Sequence, residues 1–170
     1  MDKYIQQFQE YQAYLKQIIA CRFPNYLSEH VENVANLALD TIEKRNGLFS
    51  DKYHVWTIAL LHDILEDTDC CEDDLRTILE DADEKYCIAG FYIEEVISSI
   101  QRLTHNKEEK TYEQYIMDIV KSYKEDDTYC GMYCFLVKKA DFADHFQHWQ
   151  TLTPQLIEKY KPFIQYFLQE

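Results

Sequence analysis

Glycine and proline are almost missing from this chain, at three residues each among 170. Glycine supplies left-handed turns and proline interrupts regular backbone, so a chain this poor in both has few and short loops. That scarcity favours long helices over a sheet with many turns. Apolar residues also recur at helical spacing almost throughout. Residues 2–21 put Ile5, Phe8, Tyr11, Leu15, Ile18 and Ile19 on one side. A second helix is expected over about 25–45, after Pro24, carrying Val31, Val34, Leu37, Leu39 and Ile42 and stopping at Asn46-Gly47. A third, about 51–66, contains the most apolar run, VWTIALLHDIL, and belongs in the centre of the core. Five more are expected over about 71–82, 91–103, 111–124, 130–147 and 154–168, the last with Pro154 in its first turn. Strand-like alternation is absent, and no repeat, linker or low-complexity tract divides the chain. The expectation is one all-α domain over residues 1–170, a bundle of about eight helices, large enough to shield a small-molecule site.

Hydrophobic residues make up 46 % of the chain, but no apolar run approaches the roughly 20 residues of a membrane span. The opening MDKYIQQFQEYQAY lacks the apolar stretch of a secretory signal, so the expected location is the cytoplasm, without a membrane partner. The net charge of −14 repels nucleic-acid polymers and anionic membrane surfaces. It would also repel an anionic nucleotide unless cations gather at the site, and a bound metal would supply part of that charge. The six cysteines, Cys21, Cys70, Cys71, Cys87, Cys130 and Cys134, form no CxxC pair and are expected to be reduced thiols. Cys130 and Cys134, one helical turn apart, read as small buried apolar residues rather than as metal ligands.

The chemistry concentrates in Ala59-Leu60-Leu61-His62-Asp63-Ile64-Leu65-Glu66-Asp67-Thr68-Asp69. Hydrophobes lead directly into His-Asp, and Glu-Asp follows one turn later. On a continuous helix His62 and Glu66 share a face, as do Asp63 and Asp67. Packing alone does not explain four ionisable groups at the end of an apolar helix, because unpaired buried carboxylates are costly. A hard or borderline cation is the simplest partner; the competing reading is a helix end emerging into solvent. Two other segments bear on the choice. Ser28-Glu29-His30-Val31-Glu32-Asn33-Val34-Ala35 places His30 on a helix whose other face is apolar. Phe135-Leu136-Val137-Lys138-Lys139-Ala140-Asp141 again runs a hydrophobic stretch into an acid, and Lys138, Asp141, His145 and His148 share one face. Each segment by itself reads as ordinarily as a packed histidine or an i,i+3 Lys–Asp pair.

Together, the order H…HD…D, with HD inside LLHDILEDTD, resembles the HD-domain metal-dependent phosphohydrolases. Within them it is most similar to the hydrolase domain of the Rel/Spo-type alarmone enzymes and their small standalone relatives. The HD-x-x-ED-T signature stands here as His62-Asp63, Glu66-Asp67 and Thr68. An LT followed by a basic loop is Leu103-Thr104-His105-Asn106-Lys107, a YxxYI-like helix is Tyr112-Glu113-Gln114-Tyr115-Ile116, and the VKLAD segment is Val137-Lys138-Lys139-Ala140-Asp141. The resemblance covers roughly residues 22–165. It implies one divalent metal held by His30, His62, Asp63 and Asp141, with Mn²⁺ favoured and Fe²⁺ or another transition metal as alternatives. It further implies proton handling and water positioning by Glu66 and Asp67, and substrate contacts from Arg22, Lys138 and His145. His145 stands where relatives have asparagine. The activity implied is hydrolysis of a small phosphorylated substrate, a nucleotide, in its most specific form 3′-pyrophosphate removal from guanosine 3′,5′-bis(diphosphate), ppGpp. Alternatives are a nucleotide phosphomonoesterase or phosphodiesterase on the same site, or a helical module that binds a nucleotide without turnover.

Overall fold

In the computed structural model, which describes residues 3–125 and 129–167, the apolar VWTIAL segment forms the centre of the molecule. It lies in helix α3 (Phe49–Leu60), where every side chain from Tyr53 to Leu60 is buried. Around it stand α1 (Lys3–Arg22), α2 (Glu29–Lys44), α5 (Glu72–Tyr86), α6 (Ile93–Leu103), α7 (Tyr112–Glu125), α8 (Tyr129–Gln147) and α9 (Pro154–Tyr160). Two single four-residue turns, α4 (Ile64–Asp67) and α10 (Ile164–Phe167), complete the set. The described residues thus contain eight helices of seven residues or more and no strand, as the glycine and proline shortage predicts. Asp2 and Leu168, expected at the ends of the first and last helices, lie outside the described residues.

Helix α8 packs on α2, α3, α6 and α7, and α2 and α6 also touch α3, so α2, α3 and α8 meet directly. Helix α1 lies on α5 and buries Phe8, Tyr11, Leu15 and Ile19 at 3-4-4 spacing. Ile5, expected on that stripe, is instead 50 % exposed. Helix α2 starts four residues later than the sequence suggests. Ser28 takes the extended N-cap conformation and its hydroxyl accepts the Val31 N–H, which sets the first turn and leaves residues 24–28 outside the helix. Its end follows expectation. Asn46 adopts left-handed backbone (φ 54°), its N–H donates to the Glu43 carbonyl, and the Gly47 N–H reaches back to Ile42. A Cβ on Gly47 would come within 2.7 Å of the Ile42 side chain, so glycine is required there by close approach.

The expected third helix over 51–66 is broken. Helix α3 ends at Leu60, and Leu61, His62 and Asp63 form a turn before α4. In a continuous helix the Ala59 and Leu60 carbonyls would accept the N–H groups four residues on. Here Ala59 accepts the His62 Nδ1–H (2.8 Å) and Leu60 accepts the Tyr26 hydroxyl (2.9 Å), while Ile64 N–H turns to Leu61. Side-chain donors from a distant loop and from the turn itself replace the helical bonds, and the break becomes affordable. The last expected helix is interrupted too, by a 3₁₀ turn at Lys161–Phe163 where Pro162 has no N–H to donate.

Candidate metal centre

The helix break, the first turn of α2 and the last two turns of α8 converge, and they carry the predicted ligands. Ser28 caps α2 one residue before Glu29, which sets His30 in the opening turn. On α8, Lys138, Asp141, Asp144 and His145 follow one another at helical spacing and are directed at that turn. His62 and Asp63 enter from the break.

The orientation of His62 is fixed by its bond to Ala59. A carbonyl only accepts, so Nδ1 carries the proton and Nε2 of the neutral ring presents a lone pair. His62 is 1 % exposed, and Nε2 makes no hydrogen bond among the described residues. It nevertheless lies 2.9 Å from Asp63 Oδ2, without the angle of a hydrogen bond. A lone pair and a carboxylate oxygen that close repel one another unless a proton on Nε2 or a metal ion offsets both. Donors sharing one transition-metal ion at about 2.0–2.2 Å stand about 3–3.5 Å apart, and this pair falls at the short end of that spacing.

His30 is held in the complementary way. Its Nδ1 lies 2.7 Å from Asp144 Oδ2, so the carboxylate fixes the proton on that nitrogen and turns Nε2 inward, the arrangement by which outer carboxylates orient metal-binding imidazoles. His30 Nε2 is 3.5 Å from Asp141 Oδ1. Asp141 Oδ2 is taken by Lys138 Nζ at 2.8 Å, which leaves Oδ1 for an ion; His145 Nε2 stands 3.1 Å from that same Oδ1. The donors fall into two overlapping groups, His30–His62–Asp63 and His30–Asp141–His145, each with its atoms within 4.8 Å of one another. Three of the four predicted ligands thus form one group, and Asp141 joins them only through His30, in a second group with His145, which was expected at the substrate.

The other predicted residues lie at the margin. Glu66 is exposed, and its Oε1 accepts the backbone N–H of His105 at 2.8 Å, which ties the 104–111 loop to the site. His105 in turn stacks on Tyr115 (4.9 Å), and Lys138 Nζ sits 5.3 Å from the Tyr115 ring centre, so the LTHNK, YEQYI and VKKAD segments meet. Asp67 shares a cleft of about 360 Å³ with Arg22. Arg22 itself pairs with Asp81 at 3.5 Å and does not reach the donors. A larger cavity of about 530 Å³, lined by Arg102, His105, Lys110 and Tyr115 among others, contains none of the donors.

Three residues escaped the sequence reading. Asp144, which orients His30, was hidden because an acid three residues after Asp141 looks like ordinary helix polarity; its burial (4 % exposed) is the signal, and burial is tertiary. Tyr160 stacks on His145 at 5.1 Å, and Lys159 sits 3.9 Å above the Tyr112 ring, both from α9, whose sequence reads only as amphipathic.

Burial alone would raise the pKa of Asp141, but Lys138, His145 and His62 outweigh it and hold the carboxyl well below the usual range. Asp63 is lowered from 3.8 for the same reason, burial being outweighed by His62, and His62 is raised from 6.5 because Asp63 and Asp141 exceed its burial. Asp67 is raised by burial and then by Asp63. Lys159 is lowered by burial, then by Lys138 and Lys107.

These directions set the pH response of the metal-free protein. Asp63 and Asp141 are held below 3.8, so the unfolded chain binds more protons on acidification, and their stabilisation, complete above that value, is lost as pH falls through the folded values. His62 is raised above 6.5, so its contribution is complete below 6.5 and is lost as pH rises through its folded value. Urea midpoints in EDTA should fall on both sides, below pH about 4 and above pH about 6.5. With saturating Mn²⁺ the alkaline fall should vanish, because an ion holds the imidazoles deprotonated. An alkaline limb that is the same with and without metal would separate His62 from metal binding.

No protein-family model matches the chain, no characterised protein is similar to it in sequence, and no solved structure matches it.

Proposed function

We propose that this chain is an HD-type, metal-dependent phosphohydrolase acting on a nucleotide. The observation that carries the reading is the buried Nε2 of His62, 2.9 Å from Asp63 without hydrogen-bond geometry and grouped with His30, a set of donors that a metal ion would draw together. Two or more imidazoles with two carboxylates suit Mn²⁺, Fe²⁺ or another transition ion better than Mg²⁺. Such an ion, when bound, supplies Lewis acidity toward the phosphate and toward water. The chain's own groups do the rest. Asp144 holds the His30 ring and Lys138 holds Asp141, so both ligands are oriented before substrate arrives. Glu66, which keeps one oxygen free after binding His105, and Asp67, whose pKa is raised by burial, are the two acids that exchange protons with water and the leaving group. Lys138, Lys159 and Lys107 provide local positive charge against the overall −14.

The most specific form of the reading is 3′-pyrophosphate removal from ppGpp. A second form, an ordinary nucleotide phosphomonoesterase or phosphodiesterase, is favoured by one observation: His145 is committed to Asp141 and His30 and is not free to contact a base. The deciding experiment incubates Mn²⁺-loaded protein with ppGpp, GTP, 3′,5′-bisphosphates and cyclic nucleotides and identifies the products. Intact pyrophosphate released from ppGpp alone is expected under the first form. Activity confined to monoesters or cyclic nucleotides selects the second, and no turnover of any of them rejects the enzyme in favour of a binding module.

A further inference from the structure

We infer that His145 is a fifth ligand of the metal centre, so that the ion is held by three imidazoles and two carboxylates. This rests on the metal-centre reading above and extends it to a residue that the H…HD…D pattern does not include. Three observations carry it. His145 Nε2 is 3.1 Å from Asp141 Oδ1, the oxygen that Lys138 leaves free, and it forms with His30 and Asp141 a second compact donor group. Its ring is held in that direction by two stacking contacts, with His30 at 4.7 Å and 21° and with Tyr160 at 5.1 Å and 23°. The two groups cannot serve two separate ions, because they share His30, whose Nδ1 is spent on Asp144 and which has only Nε2 to give. One ion shared by the two groups through His30 would take in the orphaned His62 Nε2 as well, with the donors of the two groups drawing together on it.

The bland alternative is an i,i+4 Asp–His pair on the face of α8. The same helix supplies the comparison. His148 stands at i,i+4 from Asp144, 3.4 Å away, but its side chain is 51 % exposed and it belongs to neither donor group. His145 differs from it by pointing its nitrogen at other donors. A third imidazole moves the preference of the site further from Mg²⁺ toward Mn²⁺, Fe²⁺, Co²⁺ and Zn²⁺.

The test measures metal, not turnover. Zn²⁺ and Mn²⁺ affinities are determined by chelator competition for the unsubstituted protein, His145→Asn, His145→Ala and the control His148→Ala, with circular dichroism confirming helix content. Zinc K-edge X-ray absorption counts the imidazoles. The expected result is a loss of about tenfold or more in affinity for both His145 variants and none for His148→Ala, with three imidazoles in the unsubstituted protein and two in His145→Asn. Equal affinity in His145→Asn, or two imidazoles in the unsubstituted protein, overturns the assignment while leaving the metal centre intact. The spectroscopic count needs no variant, so misfolding of His145→Ala does not protect the inference. An unsubstituted protein that binds neither ion overturns this inference and the metal-centre reading together.

Discussion

Replacing Asp63 with Ala is expected to remove the metal and the activity in one step. Asp63 supplies a carboxylate oxygen 2.9 Å from His62 Nε2, in a cluster where each donor is needed to offset the desolvation of the others. The substitution leaves the backbone turn alone, because the bonds that start α4 run from the Glu66 and Asp67 N–H groups to the Asp63 carbonyl. Fold and metal binding therefore separate. Elemental analysis of the purified variant should find no stoichiometric metal, while circular dichroism shows the same helices. In the unsubstituted protein, Mn²⁺ at a hundred times its dissociation constant should stabilise folding by about 2.7 kcal/mol; in Asp63→Ala that increment should be absent. A variant that keeps full metal occupancy takes Asp63 out of the ligand set.

Glu66→Gln is expected to keep the metal yet lose about 10²–10⁴ in rate, roughly 3–5 kcal/mol of transition-state stabilisation. Glutamine still offers a carbonyl oxygen to the His105 N–H, so the 104–111 loop stays tied and only proton exchange is lost. Glu66→Ala removes the tether as well, and should add faster hydrogen exchange in that loop to the same loss of rate. The pair of variants divides two roles that one carboxylate combines here. Normal turnover in Glu66→Gln, with a mobile loop in Glu66→Ala, would make Glu66 an anchor and leave proton exchange to Asp67.

The helical class is legible in the sequence, because it follows from local facts: the scarcity of breakers and the 3-4 recurrence of apolar residues act within one or two turns. The stop at Asn46-Gly47 was legible for the same reason, since the left-handed residue and the close approach to Ile42 are both local. His30, His62, Asp63 and Asp141 could be picked out by their order; the structure adds that the first three form one compact group and that Asp141 forms another with His30 and His145. What the chain could not disclose by periodicity is the break after Leu60. The residues there continue the helical pattern, and the hydroxyl that satisfies the Leu60 carbonyl in place of a helical N–H comes from Tyr26, 34 residues away. The roles of Asp144 and His145 belong to the same category. Spacing places both on one face of α8, but only the packing of α8 against α2 brings them to His30, turning one into its orienting carboxylate and the other into its stacked neighbour. Secondary structure here was set by interactions between near neighbours, which a sequence displays; the donor set was set by desolvation and by contacts between distant segments, which exist only after the helices have packed.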